Sequence, residues 1–145
     1  MSTVFTRTIE GEVPARFVWR DGLCAAFLNI TPLSLGDTLV VPREEVEDWL
    51  DLEPLGAARL ISVSQAIGRA IREGFGPEKV GLAIAGLEIS HVHVHVWPIH
   101  VPMSFPIEPE EGDPPEPDWE ELDEAAGTIR RTLSDLGFQP HVATS

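Results

Sequence analysis

The sequence predicts an α+β domain: a mainly antiparallel sheet of five strands with a long helix packed on it, and an extra helix near the C-terminus. Three observations lead there. Short apolar runs separated by turn signals fill residues 16–42. A stretch over 54–73 repeats its apolar residues at helical spacing, and two further strand-like runs follow it.

Residues 16–20 and 23–28 are apolar segments joined by Asp21-Gly22, a dipeptide that favours tight turns, so they form a hairpin. A third strand runs over 38–41, approached through Gly36-Asp37 and closed by Pro42. Residues 44–50 suit a short helical turn. In the main helix, Leu55, Leu60, Ile61, Val63, Ala66, Ile67, Ala70 and Ile71 recur every three or four positions, and Gly74 and Gly76 stop it. The last two strands occupy 80–85 and 91–98, divided by Gly86-Leu87-Glu88. Residues 3–105 form one domain, and 106–117, rich in Pro and Glu, form an acidic linker. A C-terminal amphipathic helix spans 118–137. Asp118 offers a cap with Glu121 three residues on, and Trp119, Leu122, Ala126, Ile129, Leu133 and Leu136 make one stripe. That stripe must dock on its own domain or on a partner subunit.

A chain of 145 residues with 43% hydrophobic content is long enough for one sizeable core. The formal net charge of −14 is concentrated in the tail: residues 104–145 hold 11 acids and two arginines, whereas residues 1–103 hold 13 acids and eight basic residues. Such a surface repels nucleic-acid backbones and leaves a small anionic ligand possible only in a local pocket. No apolar run approaches the ~20 residues of a membrane span, and the N-terminus lacks a secretory pattern. Cys24 is the only cysteine and reads as a small core residue, which fits the cytoplasm.

The chemistry concentrates in His91-Val92-His93-Val94-His95. On a strand the three imidazoles share one face, neighbours roughly 6.5–7 Å apart, while the valines share the other. The valine face suits burial under the main helix, leaving the histidines toward a cleft. Three readings follow. The run is a polar sheet face without chemistry; or it offers imidazoles to zinc, although the sequence supplies a poor ligand set around it; or it is a nucleophilic centre. Neutral imidazole is a competent nucleophile near neutrality, and attack at phosphorus would split one difficult displacement into two through a phosphoramidate.

His91 to Trp97 resembles the signature of the histidine triad family, His-φ-His-φ-His-φ-φ with φ apolar. Residues 4–15 resemble the family's opening, 27–32 its nucleoside-contacting strand end, and 39–46 the strand and turn that follow. The resemblance runs from about residue 3 to residue 100. It implies a five-stranded antiparallel sheet with a long helix, dimerised into a ten-stranded sheet, and hydrolysis or transfer of nucleoside monophosphates from phosphoramidates or dinucleoside polyphosphates with no required cofactor or metal. Matched by position, His93 is the nucleophile, His95 contacts the phosphate and His91 supports the strand. Val4, Phe5, Phe27, Ile30 and Leu39 wall the base pocket, Asn29 binds the ribose, and Gly86 allows close backbone approach to a phosphate. The sequence departs from the family at several points: Asn29 stands where Asp is usual, Gly36-Asp37-Thr38 where Gly-His-Thr is common, and Leu87 and Glu88 replace polar loop residues. Asp37 is expected to hydrogen-bond a triad imidazole, His91, and Glu88 to act as a general acid toward a departing amine. The alternative function is a nucleotide-binding or scaffold protein of the same fold with little activity.

Overall fold

The computed structural model describes residues 2–100 and 115–143. Most of the 106–117 linker lies outside the described residues. A short helix, α1 (Val4–Ile9), opens the fold, and Thr3 caps it by accepting the Thr6 N–H at 3.1 Å. Strands β1 (Phe17–Arg20), β2 (Cys24–Leu28) and β3 (Thr38–Pro42) follow, then the long helix α2 (Pro54–Phe75), β4 (Lys79–Ala83), β5 (Val94–Ile99) and α3 (Trp119–Asp135). The five strands form one sheet in the order β1-β2-β3-β5-β4, every neighbouring pair antiparallel. The α+β architecture expected from the sequence is therefore present.

The β1–β2 turn is locked by Asp21, whose Oδ1 accepts the N–H groups of Leu23 and Cys24. A bulge between Phe17 and Trp19 shifts the register and puts both Val18 and Trp19 in the core under the helices. That core also takes Ala26, Leu28, Val40, Val94 and Val96 from the sheet and Val92 from the segment before β5, with Leu60, Val63, Ile67 and Ile71 of α2 and Leu122, Ile129 and Leu133 of α3. The opposite sheet face carries a smaller cluster built from Phe5, Phe17, Phe27, Leu39 and Val41. Cys24 is buried and its thiol pKa is pushed up to about 12 by desolvation, which makes it an inert core residue.

Several elements differ from the sequence reading, and α1 is not among the elements the sequence predicts. Residues 44–48 have no helical turn; only a 3₁₀ turn at Trp49–Asp51 forms there. α2 continues through Gly74 and ends at left-handed Gly76; Gly74 lies against α3, where a Cβ would stand 2.9 Å from Thr128 Cγ2. β4 starts one residue early and ends at Ala83, where its pairing with β5 stops. β5 begins only at Val94, since β3 pairs with it no further than Val40. His91 and His93 therefore lie on the lead-in to the strand.

α3 docks on its own domain, against α2 and β1. Asp118 accepts the Glu121 N–H at 3.1 Å, and Arg16 both pairs with Asp123 and lies over the Trp119 ring. Arg130 donates to the Phe17 carbonyl at 2.8 Å.

Candidate active site

The triad run sits where three elements meet: β3 beside it, the 83–90 loop before it, and α1 over it. The Leu39↔His95 register places His95 on the face of the smaller aromatic cluster, while Val94 and Val96 enter the helix-side core. Phe5 of α1 packs edge-on against His91 and His93, at 5.7 and 5.0 Å between ring centroids.

Hydrogen bonds set the proton positions on two imidazoles. His91 is fully buried, and its Nε2 lies 2.8 Å from the Pro42 carbonyl. A carbonyl only accepts, so Nε2 carries the proton and Nδ1 accepts from the Thr3 hydroxyl at 2.7 Å. Burial lowers the His91 pKa and keeps it neutral. His93 Nδ1 donates to the His91 carbonyl at 2.8 Å, which leaves Nε2 as its unprotonated nitrogen. The His93 and His95 rings meet edge to face at 5.2 Å, closer than backbone spacing alone would set them.

Asp37 does not meet His91, whose two nitrogens are taken by Thr3 and Pro42. It faces His95 instead, with Oδ1 4.0 Å from His95 Nδ1. The reason is register: Thr38 pairs with Val96 and Leu39 with His95, so the residue before Thr38 lies near the far end of the triad. Asp37 is 1% exposed; its Oδ2 accepts from Asn29 Nδ2 at 3.0 Å and from the Leu33 N–H at 3.1 Å. Burial lifts its carboxyl to about 7, and desolvation followed by His93 pushes His95 down to about 4.

Of the base-pocket residues read from the sequence, Phe5, Phe27 and Leu39 are brought together beside the histidines, whereas Ile30 is exposed and outside that cluster. Asn29 spends its amide on Asp37 and its carbonyl oxygen on the Thr31 N–H at 3.1 Å. Gly86 has φ +75°, with open space around a Cβ position, so backbone conformation rather than crowding calls for glycine. Glu88 is exposed and makes no hydrogen bond or ion pair with the histidines among the described residues. Arg43, the nearest basic residue in the strand-turn segment, is bound to the Asp21 carbonyl.

Thr3 escaped the sequence reading as a site residue. The local signal was its position as a helix cap before Val4-Phe5; its contact with His91 needs the fold.

The profile of the HIT domain family matches residues 10–100. The chain belongs to the HIT domain family. Among its relatives, adenosine 5′-monophosphoramidase hnt1 of Schizosaccharomyces pombe is 30% identical over 129 residues, 77% of this chain and 90% of that protein. A bis(5′-nucleosyl)-tetraphosphatase (asymmetrical) of the same organism is 31% identical over 59% of this chain and half of its own length. The crystal structure of a zinc-bound histidine triad family protein from Mycobacterium smegmatis is similar with a TM-score of 0.76 at 29% identity, over 94% of this chain and 96% of that one. These relationships support nucleotide hydrolysis as the general class of activity for this HIT domain. Among the described residues no group of three or more His, Cys, Asp or Glu is arranged to hold a metal ion, and both His91 nitrogens are engaged in hydrogen bonds. Among the described residues no helix is long and apolar enough to cross a membrane.

Proposed function

We propose that this HIT domain protein releases a nucleoside monophosphate from a phosphoramidate by way of a covalent nucleotidyl-His93, hydrolysing it or passing it to an acceptor. The observation that carries the reading is the His93 tautomer: Nδ1–H is held by the His91 carbonyl, so the Nε2 lone pair is available to attack phosphorus. His91 is the anchor, fixed at both nitrogens; Phe5, Phe27 and Leu39 give the base an apolar wall. A phosphoramidate with an amine leaving group is favoured over a dinucleoside tetraphosphate. The latter brings about four negative charges that normally call for Lys or Arg, and Arg43 is committed elsewhere.

Incubation with adenosine 5′-phosphoramidate, acid quench and mass spectrometry should reveal an adenylate adduct on His93. His93→Ala should abolish both adduct and turnover while keeping the fold. Substantial turnover by His93→Ala, or faster cleavage of diadenosine tetraphosphate at equal salt, would overturn the respective assignment.

A second reading, a nucleotide-binding or scaffold protein with little activity, is favoured by the 83–90 loop. Leu87 there is 86% exposed and Glu88 stands in solvent, so neither replaces a phosphate-binding polar group. Absence of an adduct together with saturable AMP binding would support it. We also infer a cytoplasmic homodimer. β4 is an edge strand unpaired on its outer side among the described residues, whereas β1 is partly covered by the Trp19↔Val142 bridge. A monomeric mass in light scattering would refute pairing.

A further inference from the structure

Asp37 Oδ1 and His95 Nδ1 are both buried, neither has a hydrogen-bond partner among the described residues, and they face each other across 4.0 Å. An orphaned buried polar atom is costly, and two of them pointed at one another are relieved together when a proton lies between them. The distance exceeds that of a formed hydrogen bond, as is common for catalytic pairs before substrate tightens the site. The other Asp37 oxygen is occupied by Asn29 and Leu33, so Oδ1 is the atom left for proton exchange.

We propose that Asp37 is a positioning residue that stores a proton for His95 and delivers it during nucleotidyl transfer. The proposal rests on the function argued above. In the resting site Asp37 is a carboxylic acid, and its proton faces the Nδ1 lone pair of a His95 that carries hydrogen on Nε2. When His93 Nε2 attacks, the phosphorus–nitrogen bond breaks and its electron pair takes the proton from His95 Nε2. The Asp37 proton moves to His95 Nδ1, the amine departs neutral, and Asp37 is left a carboxylate. In the second half, water attacks phosphorus and the electron pair of the breaking bond returns to His93. The proton lost by water goes to His95 Nε2, and the Nδ1 proton returns to Asp37, restoring the start.

The surroundings favour that resting state. Besides Asp37, His93 on the same run is the titratable group facing His95; Leu39 on β3 and Ala83 on β4 lie opposite it in the ladder and carry no charge. Asp37 is faced by neutral Asn29 and a backbone N–H, with no cation among the described residues to hold it ionised. Burial thus places the resting proton on the carboxyl rather than on the imidazole.

Asp37→Asn tests this, because its amide oxygen can keep the Asn29 and Leu33 bonds while its nitrogen cannot release a proton. Two adenosine 5′-phosphoryl donors are compared: an alkylamine phosphoramidate, whose leaving group needs a proton, and a p-nitrophenyl ester, whose leaving group does not. The variant should lose at least ~10-fold in kcat on the amine donor and less than ~3-fold on the ester. Equal losses on both would reveal a merely structural residue, and no loss on either would remove Asp37 from the reaction; each overturns the proposal. Imidazole ¹⁵N NMR supplies a readout free of turnover. Wild-type His95 should pass from the Nε2–H to the Nδ1–H tautomer between about pH 5 and about pH 9, and D37N should keep Nε2–H throughout. A tautomer in the wild type that does not change overturns the proposal. A tautomer switch in a protein that cleaves neither donor would support the proton store and refute the proposed function instead.

Discussion

Removing the Ile129 side chain tests whether α3 is part of the domain's core. Ile129 is completely buried, in the cluster that contains α2, β1 and β2 residues, so truncation to Ala leaves a cavity in that core. Such a substitution costs about 2–5 kcal/mol, and about 3 is expected for this completely buried side chain. Against a total stability of ~5–15 kcal/mol that is a large fraction, and for a chain of this size it lowers Tm by about 6–12 °C. Urea unfolding followed by far-UV circular dichroism would read the change as a shift in midpoint at constant slope. Glu124→Ala, exposed on the same helix, is the control and should stay within about 0.5 kcal/mol. An Ile129→Ala loss below about 1 kcal/mol would refute the docking argument.

Three other outcomes follow from the same contacts. Burial holds the Asp37 carboxyl at about 7 against an ordinary 3.8, so the native state binds the extra proton in that window and Asp37's contribution to stability falls as pH rises through it. His95, lowered from 6.5 to about 4, has the opposite slope between those values; Asp37→Asn should therefore make stability climb from acid toward neutral pH, gaining on the wild type up to about pH 7 and keeping that gain above it, and parallel urea profiles would contradict this. Gly81→Ala should cost about 1–3 kcal/mol in a thermal melt, since its Cβ would fall 2.6 Å from the Trp97 ring across the β4–β5 pair, and an unchanged Tm would show that the ring moves freely. Thr3→Val should destabilise by about 1–3 kcal/mol by removing the α1 cap and leaving His91 Nδ1 unpaired, with a wild-type His91 ¹⁵N spectrum as the contrary result.

Much of this fold is written in local patterns. Asp21-Gly22 between two apolar runs is enough to specify the first hairpin, because a tight turn depends only on the residues in it. The 3.6-residue recurrence over α2 and the Asp118 cap of α3 are likewise local, and the structure has both helices. Alternation also separated the triad from its valines, so one face became core and the other the site. Where the reading slipped, a distant partner had intervened. Gly74 looked like a stop signal but makes room for Thr128 of a helix more than fifty residues away. The triad looked like a strand from its first histidine, but a strand exists only where a neighbour pairs with it, and β3 pairs only from Val94 onward.

The sequence by itself determined the five strands, the two long helices, the histidine run and the family resemblance, since each depends on residue identities a few positions apart. Only the tertiary structure decided which nitrogen of each imidazole holds the proton and which carboxyl faces which histidine. Those choices depend on single acceptors and donors: the Pro42 carbonyl 49 residues from His91, the Thr3 hydroxyl 88 residues away, and Asp37 turned toward His95 by strand register. A hydrogen bond is sensitive to displacements of a few tenths of an ångström, whereas sequence periodicity determines only which face a side chain occupies.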